Sequence, residues 1–274
     1  MDLLNFAAEM RLALYQCGQV AQALQGRVAR EDKAPDSVYQ VSTAVSVVDR
    51  LCQEILLLHA ARAAPGLEIQ SEELADCPAP IATLFARNHH RYVLVLDPVD
   101  GSGDYLDGKN TYAHMLGLLD QETGCMDCGM IYFPARQRLY AGLRGMGAFV
   151  ADGFWGALRP LVVTPPPRTV EDVKRLLPGD YETFSALGFT VVPPASGSAA
   201  FELTRVTEGN LGAMVMRQFH GHDSAINSVL IEALGGAVLT APGRPVTYDK
   251  TMARMPLVVL SLSAAFAEAL AARL

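Results

Sequence analysis

The sequence predicts a layered α+β fold, on three observations. Two long stretches near the start carry apolar residues at helical spacing. The middle of the chain is dominated by apolar runs of strand length bounded by turn residues. The second half alternates short apolar runs with amphipathic helices. A helix pair, then a mostly antiparallel sheet, then strands mixed with helices is the order expected of stacked α and β layers.

The elements follow in order. Residues 3–29 set Leu3, Phe6, Ala7, Met10, Leu14 and Cys17 at helical spacing, and residues 42–62 repeat the pattern with Val45, Val48, Leu51, Cys52, Ile55 and Leu56. Ser42 or Thr43 is positioned to cap the second helix, and Pro65-Gly66 to end it. Strands are expected over 67–70, 92–97, 112–119, 127–133 and 138–143, with Gly145, Gly147 and Gly153 in the loops that follow. The run Pro165-Pro166-Pro167 reads as an edge or a connector between two halves, 1–155 and 156–274, which together make one domain. In the second half, strands are expected near 158–163, 188–192, 211–217, 236–240 and 256–261. Helices are expected there near 170–176, 198–208, 223–234 and 263–274.

Composition narrows the function classes. A chain of 274 residues can bury a sizeable core. Half its residues are hydrophobic, 19% are charged and the mean hydropathy is +0.19, a globular composition. The net charge of −7, with no Lys/Arg-rich run, gives no nucleic-acid footprint. An acidic protein that takes an anionic substrate needs local help from metal ions. No apolar run reaches the ~18 residues a membrane span needs. The start Met1-Asp2-Leu3-Leu4-Asn5 lacks the basic region of a signal peptide. Five cysteines at irregular spacing suggest reduced thiols in a cytoplasmic protein. Cys125-Met126-Asp127-Cys128 has no second pair to complete a zinc site.

The chemistry concentrates at Asp97-Pro98-Val99-Asp100-Gly101-Ser102, which follows the apolar run Tyr92–Leu96. Pro98 cannot donate a ladder hydrogen bond, so the strand is expected to stop there. Two aspartates at i and i+3 around a tight turn can face one hard cation or bridge two. The amides of Gly101, Ser102 and Gly103 can cradle an anion beside it. The plain alternative is a turn in which Asp100 caps a short helix. Upstream, Ser71-Glu72-Glu73 offers another carboxylate at a strand end, or simply acid at a helix N-terminus. Downstream, Gly197-Ser198-Ala199-Ala200 opens a helix, with Ser198 as cap or as part of an anion or hydroxyl site. His222-Asp223-Ser224-Ala225 opens another, with Asp223 as cap or metal ligand.

Taken together, these motifs resemble the inositol monophosphatase family, within the lithium-sensitive, magnesium-dependent phosphatase superfamily. The run Asp97 to Tyr105 is similar to its D-P-[IVL]-D-G-[TS]-x-[ND]-[FY] signature, and His222 to Ala225 with Gly235-Gly236 to its C-terminal one. The resemblance implies a layered αβαβα sandwich of the inositol monophosphatase/fructose-1,6-bisphosphatase type. It implies a metal and phosphate site in the N-terminal half and substrate contacts in the C-terminal half. It also implies two or three Mg²⁺ held by Glu72, Asp97, the Val99 carbonyl, Asp100 and Asp223. Glu72, Asp97, Asp100 and Ser102 would be catalytic, with Ser102 orienting the water. Gly101, Ser102, Gly197, Ser198, Ala199, Arg217 and Asp223 would meet the substrate. The implied activity is hydrolysis of a small phosphorylated alcohol, sugar or nucleotide by a cytoplasmic homodimer with no membrane or nucleic-acid partner. The alternatives are a 3′(2′),5′-bisphosphate nucleotide phosphatase and a catalytically weak sugar-phosphate-binding protein.

Three positions depart from the family pattern. Its V-T-x-A-D run is matched here by Val41-Ser42-Thr43-Ala44-Val45, so the acid that supports the water-orienting hydroxyl is expected to be missing. Asp49 lies one turn further on, too far by this reading to replace it. The aromatic before the C-terminal Asp is His222, a poor Mg²⁺ ligand and better suited to a supporting or substrate contact. Met216 stands where inositol-specific members carry an acid, and Arg217 beside it is a candidate for a second anionic group.

Overall fold

The computed structural model describes residues 1–32, 44–85, 90–154, 156–163, 169–173, 182, 184–186 and 188–274. Helix α1 (Leu3–Leu24) is capped by Asp2, whose carboxylate accepts from the amides of Leu4 and Asn5. After the short pair β1 (Glu31–Asp32) and β2 (Ala44–Val45) comes α2 (Val47–Ala63). The cap of α2 is Ser46, not Ser42 or Thr43, which lie outside the described residues. One sheet then takes β3 (Glu68–Ser71), β4 (Tyr92–Asp100), β5 (Ala113–Asp120), β6 (Cys125–Phe133), β7 (Arg138–Leu143), β8 (Gly147–Asp152) and β9 (Arg159–Pro160) in sequence order. Only β3 and β4 run parallel. The short helices α3 (Ala79–Ala82) and α4 (Ser102–Leu106) flank β4 in the chain.

The second sheet has the order β11 (Thr190–Val192), β10 (Thr169–Val173), β12 (Ala213–Phe219), β15 (Met255–Ser261), β13 (Ala237–Thr240), β14 (Arg244–Pro245). Helices α5 (Ala199–Thr207) and α6 (Gly221–Ala233) precede and follow β12, and α7 (Ala264–Ala271) closes the chain. Helices α1 and α2 cover one face of the first sheet, α6 lies between the sheets, and α7 covers the outer face of the second. The αβαβα order expected from the resemblance is the order observed.

The layers explain the residues. Leu94 and Leu96 of β4 join Met10, Leu14, Cys52 and Leu56 in the core under α1 and α2. Val93 and Val95 point the other way and join Ile226, Leu230 and Val258 in the core between the sheets. A strand buried on both faces reads as a continuous apolar run, which is why 92–96 carries no alternation. The third core, with Val215, Val259 and Leu270, lies under α7.

Helix α2 starts at Val47, so Val45, expected on that helix, lies in β2, and two further elements differ from expectation. The helix expected at 170–176 is strand β10 over Thr169–Val173, which pairs in parallel with β11 and β12. Its partners come from distant sequence, and residues 174–176 lie outside the described part. The glycine-marked loop after β7 contains β8, a full partner of β7.

Helix α6 sits directly on the backbone of the first sheet. A Cβ added to Gly129 would lie 2.1 Å from the Ile226 carbonyl oxygen, and one on Gly142 2.9 Å from the Leu230 nitrogen. Neither neighbour is a flexible side chain, so the helix itself has to move. Gly129→Ala is therefore expected to destabilise the fold by about 1–3 kcal/mol or more, read from urea unfolding. An unchanged midpoint would show that α6 shifts without cost.

Candidate active site

The site begins with an irregularity in β4. Asp97 pairs with Met115 and Asp100 with Ala113, so three steps on β4 match two on β5. The strand does not stop at Pro98, as its missing N–H suggested; it bulges there and continues to Asp100. The bulge brings the Asp97 and Asp100 carboxylates to one cleft, with Val99 between them. Gly101 turns the chain out of the strand with φ of 78°, a left-handed conformation that glycine adopts without strain. A Cβ there would also lie 2.8 Å from Ser198 Cβ.

Neighbouring elements add the remaining groups. Parallel pairing of Ser71 with Leu96 carries Glu72 to the level of Asp97, and the Glu72 amide donates to Leu96 O at 3.3 Å. Gln53 of α2 steadies this strand end by donating to Glu73 O at 2.8 Å and accepting from the Ser71 hydroxyl. The first turn of α6 brings His222 and Asp223. The cleft, about 240 Å³, is lined by Glu72, Asp97, Val99, Asp100, Ser102 and Asp223 together with Asp104, Ser198, Phe219 and His220.

The acids crowd one another. Asp97, Asp100 and Asp223 each offer an oxygen within 4.8 Å of the others, and Glu72, Asp97 and His222 form a second such group. Burial first, and the Asp223 charge next, push Asp100 up to about 7. Hydrogen bonds from Ser198 and Ala200 oppose that rise, and Glu72 adds to it. Such a set of hard oxygen donors in low dielectric fits a divalent cation and is poorly explained as structure alone. Burial opposes charging of His222, yet the Asp223 carboxylate, 3.3 Å from Nε2, and the charges of Glu72 and Asp100 hold its pKa above the usual value. His222 stacks on His220 with ring centroids 5.6 Å apart.

Asp49 changes the reading of Ser102. The Ser102 hydroxyl donates to Asp49 Oδ1 at 2.9 Å, with the Val99 carbonyl a second acceptor at the same distance. The other carboxylate oxygen, Oδ2, accepts from the Ser46 amide at 2.8 Å and the Ser46 hydroxyl at 2.7 Å. Asp49 is thus the third residue of a capping box and only 2% exposed. Burial raises its pKa, with the Ser46 and Ser102 hydrogen bonds opposing. The expectation that Val45 leaves Ser102 unsupported is corrected: the acid is Asp49. The signal was in the sequence as Ser46-x-x-Asp49, the spacing of a capping box at the start of the helix.

The C-terminal contributions divide. Ser198 Oγ donates to Asp100 Oδ2, and the amides of Ala199 and Ala200 donate to the same carboxylate at 3.2 and 3.0 Å. The start of α5 therefore grips an acid of the first sheet, and Gly197, Ser198 and Ala199 line the cleft beside it. Arg217, on β12 opposite Leu257, is not among the lining residues; Phe219 and His220 are. One further residue matches the signature run, but its role shows only in the structure. Asp104 accepts from the Gly197 amide at 2.8 Å, Lys109 at 2.8 Å and Thr111 at 2.7 Å, tying α4 to the loop before α5.

The sequence profile of the inositol monophosphatase family matches residues 6–273. The chain belongs to the inositol monophosphatase family. Members are phosphoric monoester hydrolases, and the chain is one. It is similar to human inositol monophosphatase 2, 25% identical over 248 residues, covering 88% of this chain and 81% of that protein. It is likewise similar to the fructose-1,6-bisphosphatase/inositol-1-monophosphatase of Aquifex aeolicus, 25% identical over 251 residues, covering 89% and 88%. The fold is shared with the extragenic suppressor protein suhB of Bartonella henselae, at a TM-score of 0.73, 20% identity and full coverage of both chains. It is shared equally with an IMPase of Thermotoga maritima, at a TM-score of 0.73 and 18% identity, covering 98% of this chain and 96% of that one.

Proposed function

We propose that this family member is a Mg²⁺-dependent phosphomonoesterase acting on a small phosphorylated alcohol, sugar or nucleotide. The observation that carries the reading is the crowding of Glu72, Asp97, Asp100 and Asp223 in one cleft beside Ser102. Glu72, Asp97, the Val99 carbonyl, Asp100 and Asp223 would hold the ions. When bound, Mg²⁺ supplies charge neutralisation for the phosphate and acidifies a water. The chain's own residues do the positioning. Ser102, fixed on Asp49, presents its oxygen to a water, and a proton leaving that water has a path through the hydroxyl to the Asp49 carboxylate. Gly101 and Ser102 line the cleft, where their amides would meet the phosphate, and Gly197, Ser198 and Ala199 wall it beside them. The bisphosphate reading rests on the Ser71-Glu72-Glu73 run and on Arg217, and the weakly catalytic reading on Val45; Glu72 lines the cleft but Arg217 does not, and Asp49 supplies the acid. A cytoplasmic homodimer completes the proposal, and light scattering checks the latter.

Two results are expected of the purified protein. Phosphate release from a panel of phosphorylated metabolites should require added Mg²⁺ and vanish with chelator; turnover that survives exhaustive chelation would overturn the metal assignment. Without a cation, burial and the Asp223 charge push Asp100 up to about 7 from the ordinary carboxylate value of 3.8. The folded state then binds more protons than the unfolded chain between about pH 4 and pH 7, so stability should fall as pH rises through that window. Mg²⁺ should abolish the fall, because the cation replaces the proton. Thermal unfolding across pH, with and without Mg²⁺, reads both.

A further inference from the structure

The bulge that carries the acids is held from behind by one side chain. Between the pairs Asp97–Met115 and Asp100–Ala113, His114 alone faces Pro98 and Val99. His114 is fully buried, and its Nδ1 lies 2.5 Å from the Pro98 carbonyl oxygen. A carbonyl only accepts, so Nδ1 carries the hydrogen. Burial pushes the imidazole down to about 4, so the ring is neutral and Nε2 is a bare lone pair. Nε2 has no hydrogen-bond partner among the described residues, and the nearest ring, Tyr112, stands edge-on with its centroid 6.0 Å away. An apolar side chain would avoid leaving that nitrogen dry. What the imidazole adds at this position is the single bond to Pro98.

That bond lands on a critical peptide. Pro98 follows Asp97 and precedes Val99 and Asp100, all of which face the cleft. In a bulge the ladder bonds are interrupted, so the local backbone depends on side-chain partners. We propose that His114 is a positioning residue for this reaction: its Nδ1–H fixes the Pro98 carbonyl and thereby the spread of Asp97, Val99 O and Asp100 toward a divalent cation. The inference rests on the metal reading above.

The test uses the full-length protein and Mg²⁺ alone, with the rise of the thermal midpoint as the readout. His114→Asn places an amide nitrogen near the Nδ1 position, and His114→Gln places it one bond further, near Nε2. The Asn variant should keep the Mg²⁺ midpoint within about three-fold of wild type. The Gln variant should weaken it by about ten- to a hundred-fold, the range for residues that orient metal ligands. At saturating Mg²⁺, kcat of the Gln variant should recover far more than its Mg²⁺ requirement. A folded Gln variant with wild-type Mg²⁺ response, or an Asn variant as weak as Gln, overturns the proposal. If Asp97→Asn leaves the Mg²⁺ response intact, the metal reading itself has failed. A ¹⁵N NMR spectrum of the unmutated protein stands whether or not the variants fold: a His114 protonated on Nε2 overturns the proposal, and one protonated on Nδ1 supports it.

Discussion

Asp49→Ala is expected to lower kcat by about 10²-fold or more, while Val45→Asp leaves it unchanged. The carboxylate is buried, locked by two hydrogen bonds from Ser46, and accepts the Ser102 proton at 2.9 Å. Removing it frees the hydroxyl to turn wholly to the Val99 carbonyl, so a water held by Ser102 loses its alignment. Misplacement of about 1 Å commonly costs ~10²-fold. Asp49→Asn is no mild substitute: an NH₂ turned to Ser46 meets its amide N–H donor, and one turned to Ser102 reverses that bond and sends the hydroxyl hydrogen to the Val99 carbonyl. Loss of the capping box should also cost about 0.5–2 kcal/mol of stability. The measurement is kcat and KM at saturating Mg²⁺, with thermal unfolding as the control for folding. A folded Asp49→Ala enzyme within about three-fold of wild type, together with a faster Val45→Asp, would return the role to position 45.

Asp97→Asn should produce the largest loss. Asp97 belongs to both groups of converging ligands, with Glu72 and His222 on one side and Asp100 and Asp223 on the other. Removing one preorganised electrostatic contact typically costs 10²–10³-fold, and a shared ligand sets at least that scale, about 3 kcal/mol or more. The same change removes one negative charge from a crowded, buried set. The metal-free variant should therefore be more stable than metal-free wild type at neutral pH, and its thermal midpoint should no longer climb with Mg²⁺. Activity near the wild-type level would reduce Asp97 to a turn residue.

Much of the site was legible because its acids sit in local motifs. Asp97, Asp100 and Asp223 each adjoin a chain reversal or helix start marked by glycine, serine or proline, and Glu72 directly follows the short strand β3. What was not legible depends on register. The choice between Ser42 and Ser46 as cap shifts the helix by about one turn, and that turn decides whether Val45 or Asp49 faces Ser102. The bulge at Pro98 is visible only against β5, and the role of His114 only against the bulge. Likewise β10 is a strand because β11 and β12 receive it, which no local window reveals.

The seating of α6 has an evolutionary consequence. With Gly129 and Gly142 pressed on one flank, and Gly236 leaving no room for a Cβ beside Ser261 O, the helix has no slack to slide or rotate. Asp223 therefore keeps its place relative to Asp97 and Asp100 unless a whole layer moves. The opposite wall, built from Pro194, Ser196 and Phe219, lies on a loop and a strand end rather than on α6. On the proposed reading, such a division would let a lineage exchange the alcohol it recognises by point substitution at one end of the cleft, while the acids at the other end keep their geometry.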